Sequence, residues 1–173
     1  MRYFLDTEFA EKPNTIDLIS IGIVCEDGRE FYSEVLDFDE NLANEWVKEN
    51  VIPHLWSKQY DKSKYNAWYR DGGSGGLLKK SEIGRQVLNF VGDSTPEFWG
   101  YYCDYDWVVF CWLFGSMVNL PKGWPMYCKD IKQLCDSLGN PKLPDQESQE
   151  HNALEDARWN KKAHDFLIGI GND

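Results

Sequence analysis

The chain has no long hydrophobic run. No uninterrupted apolar stretch among its 173 residues reaches the roughly 20 residues that a membrane-spanning helix needs. The N-terminal residues MRYFLDTE place an acidic side chain where a secretory signal peptide requires its apolar segment. We therefore expect no membrane association and a cytoplasmic location.

Paired cysteines are also missing. The five cysteines are odd in number and none belongs to a CxxC pair, so their spacing supports neither a disulfide framework nor a zinc site. We expect reduced, mostly buried thiols, as in cytosolic proteins.

Positive charge is scarce. The chain has 18 lysines and arginines against 29 acidic residues, and its net charge is −11. This balance argues against a broad basic surface that grips nucleic acid. It does not exclude an enzyme that acts on nucleic acid, because an acidic site with two divalent cations regains about +4 locally.

The composition is that of a globular protein, with 42% hydrophobic and 15% aromatic residues. We expect residues 1–173 to form one domain. Residues 53–78 contain RDGGSGGLL, and we interpret them as a mobile Gly-rich loop within that domain, because neither flank is long enough for a comfortable domain of its own. The aromatic residues and lysines beside the glycines are compatible with base stacking and equally with core packing.

Two periodicities alternate along the chain. Strand-like patterns occupy Tyr3–Phe9, TIDLISIGIVCED, EFYSEV, PEFWGYY and the short WPMYCKDI. Helical patterns occupy DENLANEWVKENV, KSEIGRQVLNFV, DYDWVVFCWLFG, Asp130–Leu138 and about Ala153–Leu167. An antiparallel meander followed by βα units predicts an α/β protein with a mixed five-stranded central sheet and helices on both faces, which is the layout of a ribonuclease H-like fold.

The first strand carries two carboxylates. With the two-residue period of a strand, Asp6 and Glu8 project from the same face, together with Phe4. Like charges so close repel each other and are costly to bury unless a cation lies between them. The pair therefore predicts a cation site on a central strand.

A second acidic group stands where the strand PEFWGYY gives way to a helix. Both Asp104 and Asp106 are candidates there. Asp104 suits the N-cap and Asp106 the inward position of the first turn, so we favour Asp106.

A third group opens the last helix, in HNALEDAR. Asn152 is a good N-cap, and Glu155 occupies the N3 position of a capping box. His151 then falls on the entering loop, while Asp156 lies in the first turn and is free to point inward. Another histidine, His164, is predicted on the polar, solvated face of this helix.

Acids from three separated segments and a loop histidine match the needs of a phosphodiesterase with two metal ions. Mg²⁺ and Mn²⁺ prefer oxygen ligands, and a neutral histidine can take a proton from the attacking water. Glycosidases and aspartyl-phosphate phosphatases also use paired carboxylates. The former do not need the additional acids, and the latter need a DxDx[TV] run that DTEF lacks.

The ordered set of DxE, YD and HxxxxD resembles the DEDDh branch of the 3′–5′ exonucleases, which includes oligoribonuclease, ribonuclease T and the proofreading subunits of DNA polymerases. The segment RYFLDTEF and the tryptophan-rich strand before YD resemble most closely a group of small bacterial and phage 3′–5′ exoribonucleases. The resemblance implies two Mg²⁺ or Mn²⁺ ions held by four acids, with His151 as general base. The four acids are Asp6, Glu8, Asp106 and Asp156.

The resemblance also implies a substrate. We expect removal of nucleoside 5′-monophosphates from the 3′ end of single-stranded nucleic acid, with RNA favoured over DNA. An exodeoxyribonuclease and a non-catalytic nucleic-acid-binding module are the alternatives. Substrate contacts are expected from the Thr7 backbone amide and from stacking of Phe9 and Trp107 on terminal bases. For all three residues, simple packing in the core also stays open. Whether the chain forms a homodimer also stays open.

Overall fold

A computed structural model describes residues 1–60, 63–147 and 150–171 of the chain. The six strands within these ranges make one mixed sheet in the order β4-β3-β2-β1-β5-β6. Strands β1 to β3 form an antiparallel meander, and the pairs β3–β4, β1–β5 and β5–β6 are parallel. Their bounds are β1 Arg2–Lys12, β2 Thr15–Cys25, β3 Glu30–Val35, β4 Ser74–Leu78, β5 Glu97–Gly100 and β6 Lys129–Asp130.

Seven α-helices are described: α1 Glu45–Asn50, α2 Trp56–Gln59, α3 Ser63–Arg70, α4 Lys80–Val91, α5 Asp104–Trp112, α6 Ile131–Ser137 and α7 Ala153–Gly171. Local chemistry fixes several of their starts. The side chain of Asn44 accepts a hydrogen bond from the Val47 amide at the start of α1. Asp130 caps α6 in the same way, through the amide of Gln133.

Helices cover both faces of the sheet. Tyr3 and Leu5 of β1 point to one face, where they pack with buried residues of α4 and α5. Phe4 points to the other face, where it packs with Ala153 and Leu154 of α7. The predicted mixed α/β architecture is confirmed, and α7 lies on the same face as the two carboxylates of β1.

The predicted number of five strands is wrong, because the Gly-rich segment supplies a sixth. Residues 53–78 contain α2, α3 and the edge strand β4. Four glycines within the five residues 72–76 predict an irregular backbone. However, Gly75 has a φ of +110°, and a Cβ on it would overlap the carbonyl oxygen of Tyr32 in β3. The glycines that lower the strand propensity are therefore also what lets β4 approach its neighbour.

A buried carboxylate holds this segment on the sheet. Glu34 of β3 is only 1% exposed. Its side chain accepts hydrogen bonds from the Tyr32 hydroxyl at 2.8 Å, the Trp56 amide at 2.5 Å and the Ser57 amide at 3.2 Å. The last two amides begin α2, so Glu34 replaces an N-cap that Leu55 cannot provide.

The prediction of a solvated His164 is wrong. Its side chain is 1% exposed, and its ring lies 5.0 Å from the ring of Phe4 and 4.5 Å from that of Trp99. The buried positions of α7 recur with helical spacing, and His164 lies one turn after the buried Asn160. Burial lowers the pKa of His164.

Four of the five cysteines are buried, as predicted. No helix in residues 1–60, 63–147 and 150–171 has both the length and the apolar character needed to cross a bilayer.

Candidate active site

Strand β1 presents Asp6 and Glu8 towards α7. Glu8 pairs with Ser20 of β2, and the register then shifts so that Phe9 pairs with Leu18. An irregularity of this kind bends a strand and changes the direction of its side chains, and it is common beside active sites. The carboxylates thus lie at the point where the central strand departs from regular pairing.

Helix α7 can approach these carboxylates because of a glycine. Gly22 of β2 is paired directly with Asp6. A Cβ on Gly22 would overlap the backbone of Ala153, the first residue of α7. The buried Asn160 makes a second attachment, since its Nδ2 donates to the carbonyl oxygen of Leu5 at 2.9 Å. The start of α7 therefore lies directly on the sheet, next to Asp6.

The Asn152 half of the predicted capping box of α7 is present. The Oδ1 of Asn152 accepts a hydrogen bond from the Glu155 amide at 3.3 Å, and its Nδ2 donates to the His54 carbonyl oxygen at 3.2 Å. The carboxylate of Glu155 pairs with Arg158 at 2.6 Å. Asn152 thus fixes where α7 begins and leaves Asp156 in its first turn.

Three carboxylates meet at this junction. Oxygen atoms of Asp6, Glu8 and Asp156 all lie within 4.8 Å of one another. Burial raises the pKa of Asp6 well above its usual range, and the charges of Asp106, Asp156 and Glu8 raise it further. Glu8 has its pKa raised by the same two causes, burial first and then Asp156 and Asp106. The three carboxylates repel one another, and a bound cation would reduce this repulsion.

Asp156 is held by the segment that precedes α7. Its Oδ1 accepts a hydrogen bond from Nε2 of Gln146 at 2.5 Å. Burial raises the pKa of Asp156. The hydrogen bond from Gln146, the electrostatic interaction with His151 and a hydrogen bond from the His151 backbone oppose the increase.

The second acidic motif separates into one exposed and one buried carboxylate. Asp104 is exposed, whereas Asp106 is only 7% exposed. Oδ1 of Asp106 accepts hydrogen bonds from the Thr7 amide at 2.8 Å and from the Thr7 hydroxyl at 2.6 Å. Burial raises the pKa of Asp106 to about 6, although the Thr7 hydrogen bonds oppose the increase. The Thr7 amide, expected to meet the substrate, is therefore bonded to Asp106 in this structure.

His151 lies beside the carboxylates, on the loop that enters α7. The residue is half-buried and has a φ of +62°. Its ring packs edge-on against Trp46 of α1, with 5.0 Å between the ring centroids. His151 shares with Asp6 and Asp156 a cleft of about 500 Å³. The other residues lining this cleft are Tyr101, Pro144, Asp145, Gln146, Glu150, Trp159 and Asn160.

The two aromatic residues expected at the site differ in their surroundings. Phe9 is half-buried and makes an edge contact with Tyr105, with ring centroids 5.9 Å apart. Trp107 is 8% exposed and its ring stacks on Phe110 in the core between the sheet and α5. The surroundings of Trp107 are those of a packing residue.

The donor set fits a divalent cation. Asp6, Glu8 and Asp156 offer carboxylate oxygens, the ligands that Mg²⁺ and Mn²⁺ prefer. Burial, and after it the charges of neighbouring carboxylates, raises the pKa values of Asp6 and Glu8. Sequence reasoning missed Gly22, Asn160 and Gln146, which position the acids. Asn160 had a detectable signal, because it is a polar residue on the apolar stripe of α7.

Comparisons with known proteins identify the family of the chain. A family profile described as the 3′-5′ exoribonuclease Rv2179c-like domain matches residues 1–168. Two curated relatives come from Mycobacterium tuberculosis: 3′-5′ exoribonuclease Rv2179c of strain ATCC 25618 / H37Rv and 3′-5′ exoribonuclease MT2234.1 of strain CDC 1551 / Oshkosh. Each is 36% identical over 161 residues, which cover 91% of this chain and 88% of the relative. The chain therefore belongs to the Rv2179c-like 3′-5′ exoribonuclease domain family.

Proposed function

We propose that this chain is a 3′–5′ exoribonuclease that releases nucleoside 5′-monophosphates from the 3′ end of single-stranded RNA. The observation that carries the proposal is the convergence of Asp6, Glu8 and Asp156, whose carboxylate oxygens lie within 4.8 Å of one another, beside a cleft that Asp6 and Asp156 line. The two mycobacterial relatives are named 3′-5′ exoribonucleases, which supports RNA as the substrate.

We also assign the chain to the DEDDh branch of the 3′–5′ exonucleases, as one domain with a ribonuclease H-like fold. The order of the acidic motifs along the chain supports this assignment. So does the sheet, in which an antiparallel meander of β1 to β3 continues into the parallel strands β5 and β6.

Four carboxylates would hold two divalent cations, Mg²⁺ or Mn²⁺: those of Asp6, Glu8, Asp106 and Asp156. When bound, the cations supply positive charge that stabilises the charge developing on the phosphate and that makes water a stronger acid. Asp106 is the best fixed of the four, because the amide and the hydroxyl of Thr7 both bind its Oδ1.

His151 is the proposed general base. A neutral imidazole in the cleft can accept a proton from the attacking water, a role that histidine side chains commonly fill. The edge contact with Trp46 limits the orientations of this ring. At the other side of the site, Phe9 and its neighbour Tyr105 offer aromatic surface to a terminal base.

The test uses RNA and DNA oligonucleotides of the same sequence, labelled at the 5′ end and incubated with Mg²⁺ or Mn²⁺. The proposal predicts a ladder of RNA products shortened from the 3′ end, its loss in EDTA, and slower shortening of DNA. His151→Ala and Asp106→Asn should abolish the ladder. Asp104→Asn is the matched control, since it removes the exposed carboxylate two residues away. Full activity of Asp106→Asn would overturn the assignment of the site.

A further inference from the structure

Tyr102 has an unusual backbone conformation for its residue type. Of the four non-glycine residues with positive φ in the described part of the chain, two are asparagines, which tolerate this region well. The third is His151, and the fourth is Tyr102, with a φ of +53°. Tyr102 is 64% exposed, so the free-energy cost of its positive φ is not offset by burial of its side chain.

The backbone around Tyr102 explains why the conformation is imposed. Tyr102 lies between the end of β5 and the start of α5, and the next residue, Cys103, is the N-cap of α5. The Cys103 amide donates to Oδ2 of Asp130 at 3.0 Å, which fixes the turn. A turn of this kind favours glycine or asparagine, so the tyrosine needs a reason other than local structure.

Two aromatic rings connect Tyr102 to the cleft. Trp159 and Tyr101 both line the cleft that holds Asp6 and Asp156, and their ring centroids are 5.0 Å apart in an edge-to-face contact. The ring of Tyr101 in turn contacts that of Tyr102 at 4.6 Å, with an angle of 66° between the planes. The exposed ring of Tyr102 is thus the outer end of a row that begins at the cleft.

We propose that Tyr102 is a base-stacking residue, which contacts a base of the RNA strand next to the cleft while Tyr101 supports its ring. Stacking of bases on exposed aromatic rings is a common way to hold single strands without a basic surface. This mode suits a chain whose net charge is −11. The inference rests on the proposed exoribonuclease activity, and it explains why a costly tyrosine occupies a turn that glycine would fit.

The experiment compares Tyr102→Gly and Tyr102→Phe with the parent chain. Tyr127→Ala is the matched control, because Tyr127 is 61% exposed but lines a separate cavity with Pro96 and Glu97 at the start of β5. Four 5′-labelled RNA pentamers serve as substrates. One is intact, and each of the other three carries a single abasic residue at a different one of the three 3′-terminal positions. The KM and kcat of each pair are measured, together with thermal unfolding of each variant.

Tyr102→Gly is expected to raise the KM for intact RNA about 5- to 100-fold, the range for loss of one stacked base. The effect should vanish on one of the abasic substrates. Tyr102→Phe and Tyr127→Ala should stay within about 2-fold of the parent. The unfolding temperature of Tyr102→Gly should rise by about 1–4 °C as the backbone cost disappears.

An unchanged KM for Tyr102→Gly, or an equal loss on intact and all abasic substrates, would overturn the inference. If the parent degrades no RNA, the proposed function fails, and fluorescence anisotropy of the labelled pentamer then decides the stacking. Equal affinity of the parent and Tyr102→Gly for intact RNA would in that case reject it.

Discussion

Glu34 and the Asp6 cluster place buried carboxylates on the same face of the same sheet, yet their surroundings are opposite. Glu8, Ser20 and Glu34 are paired across β1, β2 and β3. Glu34 is surrounded by donors: a tyrosine hydroxyl and two backbone amides at the start of α2. Asp6, only two residues from Glu8, faces other carboxylates, and its pKa is raised first by burial and then by their charges.

The difference separates a structural acid from a functional one. The protein itself supplies the hydrogen bonds that compensate the burial of Glu34, so this residue stabilises the fold. The cluster of Asp6, Glu8 and Asp156 is compensated poorly and costs stability until a cation binds. We therefore expect substitutions at the two places to have opposite effects on stability and activity.

Asp6→Asn gives the largest expected effect. Loss of one ligand should lower the rate of RNA degradation by about 10³-fold or more, because several kcal/mol of charge stabilisation are removed. The metal-free variant should be more stable than the parent by about 1 kcal/mol, since one buried like charge is gone. Rates on labelled RNA measure the activity, and unfolding by urea in EDTA measures the stability of the metal-free protein. A metal-free Asp6→Asn that is less stable than the parent would contradict the contrast with Glu34.

Glu34→Gln should behave in the reverse way. Its amide cannot satisfy the two backbone donors as the carboxylate does, so the free energy of unfolding should fall by about 2–4 kcal/mol. The unfolding temperature should then drop by about 5–15 °C. At 25 °C the folded variant should retain RNA-degrading activity within about 3-fold. Loss of activity in a fully folded sample would show that Glu34 belongs to the site.

Gly22→Ala tests the contact between β2 and α7, which brings Asp156 next to Asp6 and Glu8. A methyl group there must displace the start of α7, so we expect a cost of about 1–3 kcal/mol and a decrease in activity of about 10- to 100-fold. Gly84→Ala is the matched control, because its Cβ would overlap the Leu113 carbonyl oxygen on the other face of the sheet. Both variants should be less stable, but only Gly22→Ala should bind Mn²⁺ more weakly. Equal Mn²⁺ affinities would refute the role of this contact.

The pH dependence of the metal-free protein gives the smallest effect. The pKa of Asp106 is raised to about 6 in the folded chain, and those of Asp6 and Glu8 are raised further above their usual range. The native state then holds more protons than the unfolded state above about pH 4, so stability should decrease as the pH rises through 6.

The slope should approach 1.4 kcal/mol per pH unit for each excess proton. Buried His164 acts in the opposite direction, since its lowered pKa costs stability as the pH falls. The comparison with Asp6→Asn removes this contribution, because both chains contain His164. Unfolding in EDTA at several pH values should therefore show a shallower decrease for Asp6→Asn, and parallel curves would speak against the cluster.

The sequence predicts the acids of the site better than the framework that positions them. The shared face of Asp6 and Glu8 could be predicted because a strand has a fixed two-residue period. The position of Asp156 could be predicted because Asn152 marks where α7 begins. These are local rules. The overlap that a Cβ on Gly22 would make with Ala153 depends on contacts between distant segments, which no local rule reports.

The same limit explains the error at β4. Local propensity opposes a strand in SGGLL, and pairing with β3 overrides it because the glycines allow close approach. His164 was a different kind of error, since its place on the apolar stripe of α7 was available in the sequence. The helical spacing that places His164 with Asn160 outweighs its polar residue type.

A calorimetric titration with Mn²⁺ tests the central claim most directly. It compares the parent, Asp6→Asn and Glu34→Gln at a temperature where all three are folded. We predict that the parent and Glu34→Gln bind Mn²⁺ with affinities within about 3-fold of each other, and that Asp6→Asn binds at least about 10-fold more weakly. Mn²⁺ binding by Asp6→Asn with the affinity of the parent would contradict the assignment of this cluster as the metal site.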